Sequence, residues 1–326
     1  MNFQKLFSGK TIVVTGGCGF IGSHLVRQLA ALGASQIRII DSLKFGKAPD
    51  LETKDAQVTL HKLELGASPS ADIRAACRDA DYLFHLAAEK HNSCLDDPAR
   101  VYRANVIGTH ELIASAVAEG IKRVVFSSSL YTYGRMKGEP MSEDEIPIPR
   151  TAYGISKLAG EQIVRMFHVD LGLPAVVLRY FFVYGPKQFV GMGYKSVIIK
   201  NFERLLHDEP PIIRGDGLQT LDYIYVDDVV RSTLAAMASD ISFDILNIGS
   251  GTGTPIRDLV ELMIAVHGNR VKPIAEPPDF TAGSSRVSKI DKAARVLGHT
   301  CCVDLIEGLR RTLNWMQTQR EWAVRE

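Results

Sequence analysis

Tyr153 and Lys157 stand four residues apart in the run Tyr153-Gly154-Ile155-Ser156-Lys157. On a helix that spacing puts a phenol and an ammonium on one face. A free tyrosine titrates near ~10 and is a poor base at neutral pH, but a neighbouring cation favours the phenolate, which can then take a proton from an alcohol. An ordinary surface helix yields the same pair, so the motif gains weight only from its company. Upstream, the apolar run Arg123-Val124-Val125-Phe126 leads into Ser127-Ser128-Ser129 and then Tyr131-Thr132-Tyr133-Gly134. Hydroxyls at the carboxyl end of a parallel strand fall at the ligand crevice of a doubly wound sheet, although a serine triplet also serves as a plain polar turn.

The second element of chemistry is a glycine turn, Thr15-Gly16-Gly17-Cys18-Gly19-Phe20-Ile21-Gly22. It follows the apolar run Thr11-Ile12-Val13-Val14 and opens a helical pattern in which Ile21, Leu25, Leu29 and Leu32 share a face until Gly33. The reading is strand, turn, helix. Glycines at 16, 19 and 22, spaced one residue more loosely than the usual G-x-G-x-x-G, let the backbone approach a pyrophosphate at the positive end of the helix dipole. Small residues at such a turn also serve tight packing alone. A second strand, Ile37-Arg38-Ile39-Ile40, ends in Asp41, and a carboxylate about 20 residues past the glycines is where an adenine ribose diol is held. That carboxylate repels a 2′-phosphate, so NAD is expected over NADP, with Lys44 and Lys47 as the residues that argue the other way.

The elements that must position these groups form a repeating pattern. Strands are expected near 12–15, 37–40, 58–60, 82–86, 122–127, 174–180 and 244–248, alternating with helices, one of them over 153–171. This is an α/β chain with a Rossmann doubly wound parallel sheet of about seven strands. A smaller, interleaved C-terminal lobe is expected to cover the substrate, so that residues 1–185 plus 226–255 hold the dinucleotide and 186–225 plus 256–326 form the lobe. The Pro-rich stretch from Pro273 to Pro278 is expected to be a link into its last part. With 326 residues, 46% of them hydrophobic, the chain can bury one large core.

Taken together, these motifs make the chain similar to the extended short-chain dehydrogenase/reductase superfamily, in its nucleotide-sugar epimerase and dehydratase branch, whose best-known member is UDP-galactose 4-epimerase. The resemblance runs through Gly16 to Gly22, Asp41, His85-Leu86-Ala87-Ala88, Asn105-Val106-Ile107-Gly108-Thr109, Ser127 to Gly134 and Tyr153 to Lys157. It continues through Arg179-Tyr180-Phe181-Phe182-Val183-Tyr184-Gly185-Pro186 and Asp222-Tyr223-Ile224-Tyr225-Val226-Asp227-Asp228. It implies that Ser129 hydrogen-bonds the reacting sugar oxygen, that Tyr153 is the base, and that Lys157 holds the nicotinamide ribose while lowering the tyrosine pKa. By the same resemblance Gly16, Gly19, Phe20, Ile21, Gly22, Asp41, Lys44, Leu86, Ala87, Ala88, Lys90 and Ser127 bind NAD, Asn105 supports the site, and Phe181 faces the nicotinamide end. Glu64-Leu65 occupy the adenine side, where the family usually has Asp followed by an apolar residue. A homodimer through the helices near 100–119 and 153–171 is also implied.

Two departures concern the substrate. The family usually has Asn where this chain has Phe182, and many relatives carry Arg where it has Leu221. A diphosphate would lose a donor and a cation there. Lys195, Arg214 and Arg286 are the candidate replacements, each of them equally readable as a solvated surface charge. Relatives that dehydrate a nucleotide sugar place an acidic pair directly after the catalytic hydroxyl, because eliminating water needs a further acid and base. Here those positions are Leu130 and Tyr131. The expected reaction is therefore epimerisation at carbon 4 of a nucleotide-activated sugar, with a ketosugar reductase and a non-catalytic NAD-binding regulator as the alternatives.

Composition narrows the partners. A formal charge of +1 with mixed signs gives no basic stripe for a nucleic acid polymer or an anionic membrane. No apolar run spans a bilayer and no signal-peptide pattern opens the chain, so a cytoplasmic protein is expected. Five cysteines without a C-x-x-C point to reduced thiols. His85, His91 and Cys94 could be imagined as metal ligands, but His85 sits in a strand-end motif and reads as a hydrogen-bonded core histidine. No metal is expected.

Overall fold

The computed structural model describes residues 3–44, 56–90, 97–134, 138–188, 195–268, 270–279 and 281–319. In chain order the strands are β1 (Thr11–Thr15), β2 (Gln36–Asp41), β3 (Gln57–Lys62), β4 (Tyr82–His85), β5 (Arg123–Ser129), β6 (Ala175–Tyr180), β7 (Phe182–Tyr184), β8 (Ile212–Arg214), β9 (Thr220–Tyr225), β10 (Phe243–Ile248), β11 (Gly253–Pro255), β12 (Ile274–Glu276) and β13 (Ser285–Arg286). Seven of them, those expected from the sequence, build one sheet in the order β10-β6-β5-β4-β1-β2-β3. Every pairing in it is parallel. The order reverses direction between β1 and β4, and the crevice outside the carboxyl ends of those two strands is where an open α/β sheet binds its ligand.

The strands read as unbroken apolar runs because both faces of the sheet are covered. Ile12 and Val14 of β1 pack with Leu25, Val26 and Leu29 of the helix Phe20–Ala31 and with the helix Val226–Ala238 on one face. Val13, between them, packs on the other face with Leu112, Ile113 and Ala116 of the helix Gly108–Ala118 and with Val164 and Phe167 of the helix Ala152–Leu171. The strand's period of two thus feeds two cores, and each fully buried Val, Leu or Ile contributes about 1.5–3 kcal/mol. Thr151 caps the second of these helices by accepting a hydrogen bond from the Gly154 amide at 3.1 Å. This fixes the start of the helix one residue before Tyr153.

Beyond the carboxyl ends of the sheet lies a second, smaller set of strands. β7 runs parallel to β9 with Phe182 opposite Tyr223, and β9 also pairs with β11 and, in parallel, with β13, where Arg286 stands opposite Leu221. β8 and β12 form a separate parallel pair. The proline-rich stretch expected to be a link therefore carries β12. Its three residues lie between Pro273 and Pro277, which cannot donate to a ladder, so the strand is as short as the prolines leave it.

Candidate active site

The glycine turn lies at the reversal point of the sheet. Gly16 has a left-handed backbone, φ +71°, and a Cβ there would meet the Ala87 nitrogen at 2.8 Å, in the loop that leaves β4. A Cβ on Gly22 would meet the Gly16 carbonyl oxygen at 2.1 Å. The first glycine thus admits the neighbouring loop and the last seats the helix on the turn. Gly19, at the helix start, offers no side-chain cap, which leaves first-turn amides for a ligand. Asp41 closes the turn from β2, accepting from the Cys18 amide at 3.0 Å and the Leu43 amide at 2.8 Å.

At the adenine side, charges from four segments form a chain. Lys44 Nζ donates to Glu89 at 2.9 Å, Arg100 Nε donates to the same carboxylate at 2.9 Å, and Arg100 Nη2 reaches Glu64 at 2.8 Å. Lys44 is therefore held by a carboxylate, and it is not among the residues that line the cavity. Lys47 lies outside the described residues. Asn105 is likewise behind the wall. It is buried in a π-helical turn, Arg103–Ile107, where it accepts from the Glu89 amide at 2.8 Å and donates to Ser156 Oγ at 3.0 Å. Asn105 thus fixes the Glu89 loop against the helix that carries Tyr153.

The residues expected to carry the chemistry lie where β5 meets that helix. Lys157 is 3% exposed, and its ammonium donates to the Ser127 carbonyl oxygen at 2.7 Å. Burial pushes its pKa down to about 7, against an opposing pull from Glu161. The Lys157 ammonium lies 5.9 Å from the Tyr153 ring centroid, and Tyr131 packs edge-on against Tyr153 at 5.8 Å. Ser129 Oγ caps the short turn that follows β5, accepting from the Tyr131 amide at 3.3 Å. Between the two flanking serines, Ser128 donates to Glu161, which also holds Arg179 through two bonds of 2.9 and 2.7 Å. These three residues lock the end of β5 to the helix and to β6. Neither Glu161 nor Arg179 was read from the sequence as part of this lock, because the pairing joins segments far apart in the chain.

His85 belongs to the scaffold. Thr109 Oγ1 donates to the Asn105 carbonyl at 2.7 Å and so accepts from His85 Nε2 at 2.9 Å, which leaves His85 Nδ1 to accept from Thr15 Oγ1 at 2.7 Å, itself an acceptor from the Ala87 amide at 3.1 Å. Burial, with the nearby Lys157 charge, lowers the His85 pKa to about 3, so the ring is neutral and both nitrogens are used. His91 and Cys94 lie outside the described residues, among which no three His, Cys, Asp or Glu side chains gather as a metal site.

A single cavity of about 930 Å³ runs from the glycine turn past Ser127, Ser129, Tyr153 and Lys157 into the smaller strands. Its walls include every residue expected from the sequence to touch cofactor or substrate except Lys44 and Asn105. Phe181, 2% exposed, and Phe182 both line it. Of the three cations considered for the substrate end, Lys195 is bound to Glu203 at 2.6 Å and Arg214 to Glu276 at 3.1 Å, with Asp279 at 3.7 Å. Arg286 differs. It is 5% exposed, its guanidinium lies 4.9 Å from the Phe182 ring centroid, and its Nε has no hydrogen-bond partner among the described residues.

A glycine cradle that any Cβ would fill, uncapped helix amides and a strand-end carboxylate fit a dinucleotide. Residues 12–249 match the family model described as NAD dependent epimerase/dehydratase family. The chain is 32% identical to a UDP-glucose 4-epimerase of Mycolicibacterium smegmatis over 95% of its own length and 99% of that protein's. It is 31% identical to a dTDP-glucose 4,6-dehydratase of Streptomyces griseus, covering 95% of each. The crystal structure of UDP-glucose 4-epimerase with UDP-glucose from Thermotoga maritima is similar at a TM-score of 0.87 and 35% identity, over 94% of this chain and 98% of that one. The turn, the tyrosine–lysine helix and these relatives together make the chain a member of the NAD-dependent epimerase/dehydratase family, an enzyme that works with NAD.

Proposed function

We propose that the protein epimerises carbon 4 of a nucleotide-activated sugar. The observation that carries the reading is the convergence of Ser129, Tyr153 and Lys157 on the wall of one cavity with the glycine turn. When bound, NAD would supply the hydride acceptor and donor for the sugar carbon. Tyr153 takes the proton of the 4-hydroxyl as the carbonyl forms and gives it back when the hydride returns to the other face. Ser129 steadies the reacting oxygen with its hydroxyl. Lys157, held by the Ser127 carbonyl, places a positive charge beside the phenol and favours its ionised form. Gly16, Gly19 and Gly22 seat the pyrophosphate, and Asp41 takes the adenine ribose, with Lys44 neutralised by Glu89 and so of little use to a 2′-phosphate.

Since relatives include both epimerases and dehydratases, the residues after Ser129 decide between them. Leu130 is buried and Tyr131 lines the cavity, so neither of the two residues after the catalytic hydroxyl offers a carboxylate to protonate a leaving group. At the far end, Lys195, Lys200, Arg214 and Arg286 face the cavity against two carboxylates, Glu203 and Asp279, a balance that suits a diphosphate. We read residues 1–185 plus 226–255 as the cofactor unit and 186–225 plus 256–326 as the substrate unit, acting in the cytoplasm as a homodimer. Exposed Ile155 and Met166 on one helix and Tyr102 and Ile107 on the neighbouring one support that pairing surface. Incubation with UDP- and dTDP-sugars, followed by mass and stereochemistry of the product, tests the function. Epimerisation leaves the mass unchanged; loss of water or carbon dioxide overturns it, and a gain or loss of two hydrogens with consumption of added cofactor makes the protein a reductase.

A further inference from the structure

Behind the cavity wall lies a buried charge cluster that none of the steps above uses. Ser128 faces the helix Ala152–Leu171, as Phe126 does two residues earlier on β5, and it sits between the serine whose carbonyl holds Lys157 and the serine whose hydroxyl meets the sugar. The helix comes close enough to meet the strand because residue 160 is glycine: a Cβ there would lie 2.6 Å from the Phe126 ring. Glu161, the next residue, is fully buried and accepts from Ser128 Oγ and, through both carboxylate oxygens, from Arg179 on β6. The Arg179 guanidinium lies 4.7 Å from the Tyr133 ring centroid, and the Tyr133 hydroxyl donates to Asn247 on β10 at 2.7 Å, which pins the far side. Lys157 stands one turn before Glu161 on the same helix face. Lys157 and Arg179 are thus two buried cations for one buried carboxylate, and the phenolate form of Tyr153 is the charge that evens the count. Tyr131, packed edge-on against Tyr153, and His85 on β4, kept neutral by burial, also face this pair.

We propose that Glu161, Arg179 and Ser128 are positioning residues of the reaction, which hold the end of β5 so that the Ser127 carbonyl keeps the Lys157 ammonium beside Tyr153 and the Ser129 hydroxyl stays at the reacting oxygen. A carboxylate fixed by a guanidinium on one side and a hydroxyl on the other cannot swing, and its bonds are charge-assisted, so it is a firm reference point for the strand. Glu161 also opposes the fall in pKa that burial imposes on Lys157, and so keeps a positive charge next to the phenol. The three act through Lys157 and Tyr153. The inference rests on the reading above in which Tyr153 is the base, and adds to it the groups that make the phenol acidic enough to serve.

The test follows Tyr153 itself. The ultraviolet absorbance of tyrosinate is titrated in the NAD-loaded protein, with the Tyr153→Phe variant subtracted so that one phenol is read, and kcat and KM are measured with whichever of UDP-glucose and dTDP-glucose wild type converts. Glu161→Gln, which keeps the shape and removes the charge, is expected to raise the Tyr153 midpoint by about 1 pH unit or more and to lower kcat about 10- to 100-fold at neutral pH, with KM and NAD affinity within about twofold of wild type. Ser128→Ala, which keeps every charge and removes only the bond to the strand, should move both in the same direction by less, with kcat down about 3- to 10-fold. It stands in if the glutamine variant does not fold. Glu161→Asp, which restores the carboxylate, should recover most of the midpoint shift. A midpoint within about 0.2 unit of wild type in both Glu161→Gln and Ser128→Ala, or a fall in kcat matched by an equal loss of NAD binding, makes the cluster structural and overturns the inference. If wild-type Tyr153 titrates near ~10 like a free tyrosine, the base assignment falls and takes this inference with it. If the midpoint shifts as expected while wild type converts no sugar nucleotide, the positioning stands and the nucleotide-sugar reading falls.

Discussion

The two ends of the cavity are built on different terms. At the cofactor end the polar groups already have partners: Asp41 spans two backbone amides, Lys44 and Arg100 share Glu89, and His85 uses both ring nitrogens. What the glycines add for a ligand there is exposed backbone, beside an Asp41 carboxylate that its own amide bonds already fix in place. At the substrate end Gln219 Oε1 and Arg286 Nε are buried without partners among the described residues. A site made of main-chain groups is rigid and generic, suited to a cofactor that every turnover reuses. A site with unsatisfied side chains stores its specificity in bonds that only the right ligand completes.

The largest expected effect breaks the chemistry that joins the two ends. Tyr153→Phe should lower turnover at least ~10³-fold and Ser129→Ala about 10²-fold, both with NAD still bound; retained turnover in Tyr153→Phe, measured with a sugar nucleotide that wild type converts, would remove the tyrosine from its role.

Next comes the cofactor cradle. Gly16→Ala must place a Cβ 2.8 Å from the Ala87 nitrogen while keeping a left-handed backbone, so NAD affinity should fall about 100-fold or more in calorimetry, with a lower melting temperature. An alanine variant that binds NAD as wild type does would show that the turn can open without cost, and the contrast between a rigid and an adaptable end would be lost.

Lys157 gives an effect that depends on pH. Its pKa is lowered from 10.5 to about 7, so between those values the unfolded chain holds a proton that the folded chain does not. Stability therefore rises with pH across that window, and the burial penalty is fully present below about pH 7. Lys157→Met removes the penalty. In the absence of NAD it should melt higher than wild type at pH 6, by about 2–4 kcal/mol, with the gain closing toward pH 10.5. A gain independent of pH would mean that the ammonium is not penalised by burial.

The smallest effect sharpens the comparison at its far end. Arg214 is already paired with Glu276 and half exposed, so Arg214→Gln should change nucleotide affinity less than about twofold, whereas Arg286→Met, which removes a buried cation, should weaken it at least ~10-fold. Equal losses at the two arginines would mean that pairing and burial do not separate them.

Most of the cofactor end could be read before any coordinates. The seven strands of the sheet, the helix from residue 152 and the glycine turn are signalled by runs and spacings within about twenty residues, where periodicity is decisive. Lys44 and Asn105 have partners that no spacing announces: Glu89 holds the one, and the other ties the Glu89 loop to Ser156, the supporting role expected of it. Gln219 went unread although it left a signal, its alternation with Leu221 and Tyr223 along one strand face.

The sequence alone settles which segments become the seven strands of the main sheet, where a main-chain cradle opens and which phenol can meet an ammonium, because those properties depend on neighbours along the chain. Only the tertiary structure decides the charge state of Lys157, the neutrality of His85 and the burial of Arg286 where Lys195 and Arg214 are ion-paired. Each of these depends on burial and on partners brought from distant segments: Glu161 and Ser127 for Lys157, Thr15 and Thr109 for His85, and Phe182 for Arg286. Desolvation and pairing are set by what surrounds a side chain in space, and a spacing in sequence carries no measure of either.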